Sequence, residues 1–128
     1  MEQPHKGRAL VVEDMEELAE LISLFLQQDG WQVAATGSAS EALEVIDKEP
    51  PDVALIDVLL SEGRGDRIVR KLQQLPGRPA IILMSGLIAN IPSELIGVAD
   101  AVLQKPFTVT EMRQALEQAL SRRAEREQ

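Results

Sequence analysis

The chain alternates between two hydrophobic patterns, and this alternation limits its fold more than any other feature. Short, continuous apolar runs stand at 10–12, 53–56 and 80–84. Runs of this kind are typical of strands that are buried on both faces, as in a parallel sheet. Two weaker runs, at 31–35 and 101–103, predict an edge strand and a fifth short strand.

Segments with helical spacing separate these runs. Their apolar residues recur three and four positions apart, which predicts one buried stripe for each helix. The clearest segments are 18–26, 42–46, 68–75 and 112–120. A further helix, around 88–96, is interrupted by Pro92. We expect this helix to be short or distorted, because proline cannot donate to the helical hydrogen-bond ladder.

Two helix starts carry an additional signal. Ser38 precedes Glu41 by three residues, and Thr108 precedes Glu111 by the same distance. This is the spacing of a capping box, in which the hydroxyl and the carboxylate each accept a backbone N–H bond. We therefore expect helices to begin just after Ser38 and Thr108.

Five β-α units in succession predict an α/β fold, with a five-stranded parallel sheet that is doubly wound and covered by helices on both faces. The length of 128 residues corresponds to one domain. We place that domain at 8–122, between a disordered or extended N-terminal tail at 1–7 and a charged C-terminal tail at 123–128. Ligands of such sheets bind at the carboxyl ends of the strands.

The composition excludes several kinds of site. The chain has no cysteine, and its only histidine is His5, in the N-terminal tail. Disulfides, thiolate chemistry, a histidine base and metal sites built from cysteine or several histidines are therefore excluded.

The charge balance argues against two classes of partner. Thirteen basic and 21 acidic residues give a net charge of −8, which disfavours binding to nucleic acid or to an anionic membrane. No apolar run approaches the length of a bilayer span, and the polar N-terminus has no signal-peptide pattern. We therefore expect a cytoplasmic domain that binds neither nucleic acid nor membranes.

Polar residues stand at the ends of four of the five predicted strands, where a parallel sheet brings them to one edge. They are Glu13 and Asp14 after the first strand, Asp57 at the end of the third, Ser85 after the fourth and Lys105 after the fifth.

Together these residues suit phosphoryl transfer. Three neighbouring carboxylates repel one another, and Mg²⁺ relieves that repulsion because it prefers hard oxygen ligands. A lysine and a hydroxyl can hold phosphoryl oxygens, and aspartate is a nucleophile for phosphoryl groups. Each residue alone has an ordinary explanation, such as a turn or the first turn of a helix. Their occurrence at four strand ends favours the chemical explanation.

The same residues resemble the receiver domain of two-component response regulators. The motifs are LVVED at 10–14, PDVALID at 51–57, MSG at 84–86, and AD at 99–100 running into LQKPF at 103–107. The resemblance covers 8–122 and implies a flavodoxin-like sheet with strand order 2-1-3-4-5. Some of these motifs are similar to those of hybrid-kinase receivers.

The resemblance implies a metal site with Asp57 at its centre. Asp57 is the phospho-acceptor. Asp14 and Asp57 ligate Mg²⁺ directly, Glu13 does so through water, and the backbone carbonyl of Leu59 is the third protein ligand.

Two further roles follow from the resemblance. Lys105 pairs with Asp57 or with its phosphoryl group. Ser85 donates a hydrogen bond to a phosphoryl oxygen and pulls the loop after the fourth strand inward. The peptide bond between Lys105 and Pro106 is expected to be cis.

The chain departs from the family pattern at several positions. Ser61 stands where the loop after Asp57 usually carries proline, and Val102 stands where receivers have a switch aromatic. With Val102, the usual coupling of the Ser85 loop to an inward-swinging ring cannot operate in the same form. The stretch between Ser85 and Lys105 is also short. These departures leave the chemistry of Asp57 intact and affect the usual signalling surface formed by helices four and five.

Our main hypothesis is a phospho-accepting receiver of a phosphorelay. Its donor is a phosphohistidine on a sensor histidine kinase or a histidine phosphotransfer protein, and phosphorylation switches the binding of a downstream protein. It catalyses only its own phosphorylation and dephosphorylation, so it is not a turnover enzyme. We expect a monomer or a weak homodimer.

Two other hypotheses stay open. One is a receiver-fold interaction module that works without phosphorylation. The other is a small Mg²⁺-dependent phosphatase or nucleotide-binding enzyme, which the sequence disfavours. Such phosphatases carry a second acid where this chain has Leu59, and no P-loop pattern is present.

Overall fold

A computed structural model describes residues 6–60 and 65–127 of the chain. Five strands form one sheet in the order β2-β1-β3-β4-β5, and every neighbouring pair is parallel. This confirms the predicted fold class and strand order. The strands are β1 (Gly7–Val12), β2 (Trp31–Thr36), β3 (Val53–Asp57), β4 (Ala80–Ser85) and β5 (Ala101–Gln104).

The burial of the strands follows their hydrophobic patterns. Every residue of β3 and β4 is buried, because helices cover both faces of these inner strands. In β2, by contrast, only the first and last residues are buried, as expected for a strand at the edge of the sheet. The continuous apolar runs therefore correspond to the central strands, and the weaker run corresponds to the edge.

The helices pack in two layers. One apolar cluster lies between the sheet and the pair α1 and α5, and a second lies between the sheet and α2 and α3. The sheet is therefore doubly wound, as predicted. The helices are α1 (Glu16–Gln28), α2 (Ala39–Lys48), α3 (Gly65–Gln73), α4 (Ser93–Val98) and α5 (Val109–Arg126), with a 3₁₀ turn at Ile88–Asn90.

The predicted helix starts are confirmed. At α5 the capping box is complete: the Glu111 N–H donates to the Thr108 hydroxyl at 3.0 Å, and the Thr108 N–H donates to the Glu111 carboxylate at 2.9 Å. At α2 the Glu41 N–H donates to the Ser38 hydroxyl at 3.2 Å.

The fourth helix is short, as Pro92 led us to expect. The chain after β4 makes the 3₁₀ turn, passes through extended backbone at Ile91 and then forms α4, which has six residues. The residue before a proline is biased away from helical backbone. Ile91 therefore separates the 3₁₀ turn from the α-helix.

The last helix is longer than the sequence indicated. We expected a charged tail from 123, whereas α5 continues to Arg126. The reason is tertiary: Arg123 donates to Asp52, and Arg126 donates to Asp100. At the other end of the chain β1 begins at Gly7, and the first five residues of the expected N-terminal tail lie outside the described residues.

We also examined the helices for membrane-spanning character. Across 6–60 and 65–127, no helix combines the length and the hydropathy that are needed to cross a bilayer.

Candidate functional site

The polar residues predicted to act together lie at one edge of the sheet. Glu13 and Asp14 follow β1, Asp57 ends β3, Ser85 ends β4, and Lys105 follows β5. The register aligns these ends, since Asp57 lies opposite Met84 and Ser85 lies opposite Gln104. Because all strands are parallel, these residues share the carboxyl edge, where ligands of doubly wound sheets bind.

Three carboxylates form an acidic cluster at this edge. Glu13, Asp14 and Asp57 each offer an oxygen, and these oxygens lie within 4.8 Å of one another. Glu13 and Asp57 are only 2% and 5% exposed, whereas Asp14 is exposed. Oxygen donors in this number and chemistry suit a hard divalent cation.

Lys105 lies between the two buried carboxylates. Its Nζ donates to Asp57 Oδ2 at 2.8 Å and forms an ion pair with Glu13 Oε1. Burial alone would lower the pKa of Lys105, but its hydrogen bonds to Asp57 and Glu13 outweigh burial and raise the pKa. Burial raises the pKa of Glu13, and the hydrogen bond from Lys105 opposes that shift. The site therefore contains a firmly charged ammonium group.

Backbone N–H groups hold the same two carboxylates. The Leu59 N–H donates to Asp57 Oδ1 at 2.9 Å, and the Met15 N–H donates to Glu13 Oε2 at 3.1 Å. Each bond spans two residues along the chain, so the loop after each strand fixes the orientation of its own acid. Asp57 thus has a donor on both oxygens.

Ser85 is buried, and its hydroxyl is bonded within its own loop. The Leu87 N–H donates to Ser85 Oγ at 3.1 Å, and Ser85 Oγ lies 3.0 Å from the Leu87 carbonyl oxygen, which accepts its proton. The hydroxyl thus lies at the expected edge of the sheet but is engaged with Leu87 rather than with the acidic cluster.

Gly65 explains how α3 approaches the site. A Cβ atom at this position would lie 3.2 Å from the Asp57 carbonyl oxygen and 3.3 Å from Val58 Cα. Both distances are tighter than ordinary carbon contacts. The missing side chain therefore lets the first residue of α3 pack directly on the backbone that follows Asp57.

The loop after β5 completes the edge. The peptide bond between Lys105 and Pro106 is cis, as predicted. The Lys105 N–H donates to the Ser85 carbonyl oxygen at 2.7 Å, which ties this loop to the end of β4.

The family departures appear in the structure as follows. Val102 lies on β5 opposite Leu83 and packs, half-buried, against the apolar cluster beneath α2 and α3. Leu59 projects a side chain that is 66% exposed. Ser61 lies outside the described residues.

Sequence reasoning missed the backbone donors at Met15 and Leu87. The spacing was available as a signal, because each lies two residues after a strand-end residue with an oxygen acceptor. That spacing alone does not distinguish a turn that closes on the side chain from one that remains open.

The fold and the site together define a class of protein. It is a doubly wound α/β domain with an acidic centre, which contains one lysine, at the carboxyl edge of its sheet. A family model described as the response regulator receiver domain matches residues 9–117. The chain belongs to this family, whose members are signalling modules of two-component systems. Receiver domains typically bind Mg²⁺ at an acidic pocket, and the acidic cluster is a pocket of that type.

Curated relatives agree with this assignment. The chain is 31% identical over 105 residues to the probable transcriptional regulatory protein TcrX of Mycobacterium tuberculosis, covering 80% of this chain and 45% of that protein. It is 34% identical over 108 residues to the regulatory protein VanR of Enterococcus faecium, covering 82% and 46%. The chain therefore spans about half the length of these relatives.

Solved structures show the same fold. A CheY-like response regulator receiver domain from Methylobacillus flagellatus is 26% identical, has a TM-score of 0.79 and is covered over 98% of its length by 90% of this chain. A receiver domain protein from Methanospirillum hungatei is 23% identical, with a TM-score of 0.82 and coverage of 97% and 99%.

Proposed function

We propose that Asp57 accepts a phosphoryl group from a phosphohistidine and that this switches the binding of a downstream protein. The donor is a sensor histidine kinase or a histidine phosphotransfer protein. The observation that carries the proposal is the setting of Asp57: it is buried, belongs to the acidic cluster and is bonded to Lys105.

The donor set fits Mg²⁺. Glu13, Asp14 and Asp57 present hard oxygen atoms within 4.8 Å of one another, and we assign them, with the backbone carbonyl of Leu59, as the residues that would hold the ion. Bound Mg²⁺ would neutralise the negative charge that gathers as a phosphoryl group approaches these carboxylates. This removes the main electrostatic obstacle to transfer.

In the transfer step an Asp57 carboxylate oxygen attacks the phosphorus of the phosphohistidine. A phosphorus–oxygen bond forms while the phosphorus–nitrogen bond breaks, and the electron pair of that bond returns to the imidazole nitrogen. The product is an acyl phosphate on Asp57. The N–H of Leu59 and the ammonium of Lys105 orient the carboxylate before the attack.

Lys105 supports the step electrostatically. Its ammonium lies against Asp57 and Glu13 in a partly buried position, where charges interact more strongly than in water. When a phosphoryl group is added to Asp57, the same cation offsets the new charge.

Ser85 changes partners in the phosphorylated state. Its hydroxyl now bonds to Leu87, and donating to a phosphoryl oxygen requires it to leave the Leu87 carbonyl. The phosphoryl group adds about −1.5 to −2 charges and strong acceptor oxygens. This shift biases the loop after β4 between two arrangements, and partner affinity differs between them.

The test measures intact mass after incubation with acetyl phosphate. We expect one added phosphoryl group in wild-type protein with Mg²⁺, and none in Asp57→Ala or after removal of divalent ions. Turnover of a generic phosphate ester would instead indicate a phosphatase. If there is neither an adduct nor a Mg²⁺-dependent response to beryllofluoride, the chain is a phosphate-independent interaction module and the proposal fails.

A further inference from the structure

The strand ends that carry the site share a feature beyond their polar residues: the residue two positions further along is apolar. These residues are Met15, Leu59, Leu87 and Phe107. Phe107 is half-buried against the cluster beneath α1 and α5. The other three are 59%, 66% and 52% exposed, and we call Met15, Leu59 and Leu87 the apolar collar.

The collar residues are held in place by the groups that they surround. The Leu59 N–H is bonded to the Asp57 carboxylate, and the Leu87 N–H is bonded to the Ser85 hydroxyl. Met15 is bonded in the same way to Glu13. Exposed apolar side chains at three loops around one site need a reason, because water disfavours them. Their backbone bonds keep them beside the site rather than free to turn away.

We propose that the collar sets the lifetime of the phosphoryl group on Asp57 by denying a hydrolytic water its hydrogen-bond partners at the entrance to the site. This inference rests on the proposed function. It adds a regulation of that site, since the lifetime of the acyl phosphate decides how long the signal persists.

Loss of the phosphoryl group requires an oriented water. The water oxygen attacks phosphorus opposite the Asp57 oxygen, and the phosphorus–oxygen bond to Asp57 breaks. Its electron pair returns to the carboxylate, inorganic phosphate leaves, and the proton of the water passes to solvent. A bound water needs two to four polar partners. A leucine side chain offers no donor or acceptor, so Leu59 and Leu87 leave the water without partners at two positions on the rim.

The experiment compares phosphoryl lifetimes after the donor is removed. Protein is phosphorylated with acetyl phosphate and Mg²⁺, desalted, and followed by intact mass over time. The variants are Leu59→Gln and Leu87→Gln, which add an amide to the collar. Leu24→Gln is the matched control, because Leu24 is 49% exposed on the outer face of α1. Leu59→Met keeps an apolar side chain of similar volume.

We expect both collar glutamine variants to lose the phosphoryl group faster, on the order of tenfold, because a positioned polar group assists the attacking water. Leu24→Gln and Leu59→Met should stay within about twofold of wild type, as surface substitutions usually do.

Several results would overturn the inference. Lifetimes equal to wild type in both glutamine variants would show that the collar does not control water, as expected if it serves only to dock a partner. Equal acceleration by Leu59→Met would show that side-chain shape matters and polarity does not. Reduced uptake with an unchanged rate of loss would assign the collar to the transfer step. If wild-type protein takes up no phosphoryl group, the proposed function itself fails, which is a different observation.

Discussion

Strand β3 lies between two aspartates, and the surroundings of these two carboxylates differ. Asp52, just before the strand, accepts from the Arg8 N–H at 2.8 Å and from Arg123 at 3.2 Å. Asp57, at the end of the strand, belongs to the acidic cluster and shares Lys105 with Glu13. One carboxylate has its own arginine, whereas the other competes for a single cation.

The same contrast holds for β5. Asp100, just before this strand, is buried, accepts from the Ile81 N–H at 2.8 Å and binds the Arg126 guanidinium. At the opposite end, Lys105 serves two acids. Charges that are balanced locally hold the fold together at the amino edge. At the carboxyl edge the excess of carboxylates leaves capacity for a cation and a phosphoryl group.

The largest effect that separates the two edges is expected at Asp57. Asp57→Asn removes the nucleophile and should reduce phosphoryl uptake from acetyl phosphate to background, measured by intact mass with Mg²⁺ present. Asp52→Asn, at the other end of the same strand, is the control and should retain uptake. Uptake by Asp57→Asn equal to wild type would remove Asp57 from the chemistry.

The second effect is on stability, and it falls on the amino edge. Asp100→Ala leaves the Ile81 N–H and Arg126 without their buried acceptor. It should lower the free energy of unfolding in urea by about 2–3 kcal/mol while the folded variant still takes up a phosphoryl group. Asp66→Ala breaks an exposed pair with Arg70 and should cost less than about 1 kcal/mol. Equal losses in both variants would contradict the structural role of Asp100.

A third substitution tests how closely α3 approaches Asp57. Gly65→Ala places a Cβ 3.2 Å from the Asp57 carbonyl oxygen and should destabilise the protein by about 1–3 kcal/mol through overpacking. Gly97→Ala is the matched control, because nothing lies within 4 Å of the added atom in α4. It should be neutral or stabilise by up to about 1 kcal/mol. The urea midpoints of the two variants should therefore move in different directions or by different amounts.

The smallest effect concerns a pair outside both edges. The hydrogen bond from Arg113 lowers the pKa of Asp29 below its ordinary value of 3.8, so folding favours the ionised carboxyl. This contribution is fully present above the unfolded pKa and is lost as pH falls through the lower, folded pKa. The stability difference between wild type and Asp29→Asn should be constant near neutral pH and shrink below about pH 4. A difference that grows on acidification would contradict the assignment.

Much of this molecule could be predicted from local patterns. The continuous apolar runs at β3 and β4 and the capping box at Thr108 act through neighbouring residues, so the sequence predicts them directly. The grouping of Glu13, Asp14 and Asp57 also followed, because a parallel sheet brings all its strand ends to one edge.

The features that were not predicted depend on distant partners. The end of α5 carries charged residues without an apolar period, and its order comes from Arg123 and Arg126 binding aspartates that precede β3 and β5. Likewise, the bond between Ser85 and Leu87 depends on which way one hydroxyl turns. Spacing alone does not determine either arrangement, because the competing conformations have the same sequence pattern.

The long helix α5 has a mechanical consequence, since it is held at both ends. Its start follows Lys105 closely and is closed at Thr108, and its last turn binds Asp100. Its 18 residues form a beam about 27 Å long. With the Asp100 end as a pivot, a displacement of about 1 Å at the other end rotates the beam by about 2°. Movement at the acidic centre would thus reach the outer surface as a small tilt spread over the whole helix, rather than as a bend at one place.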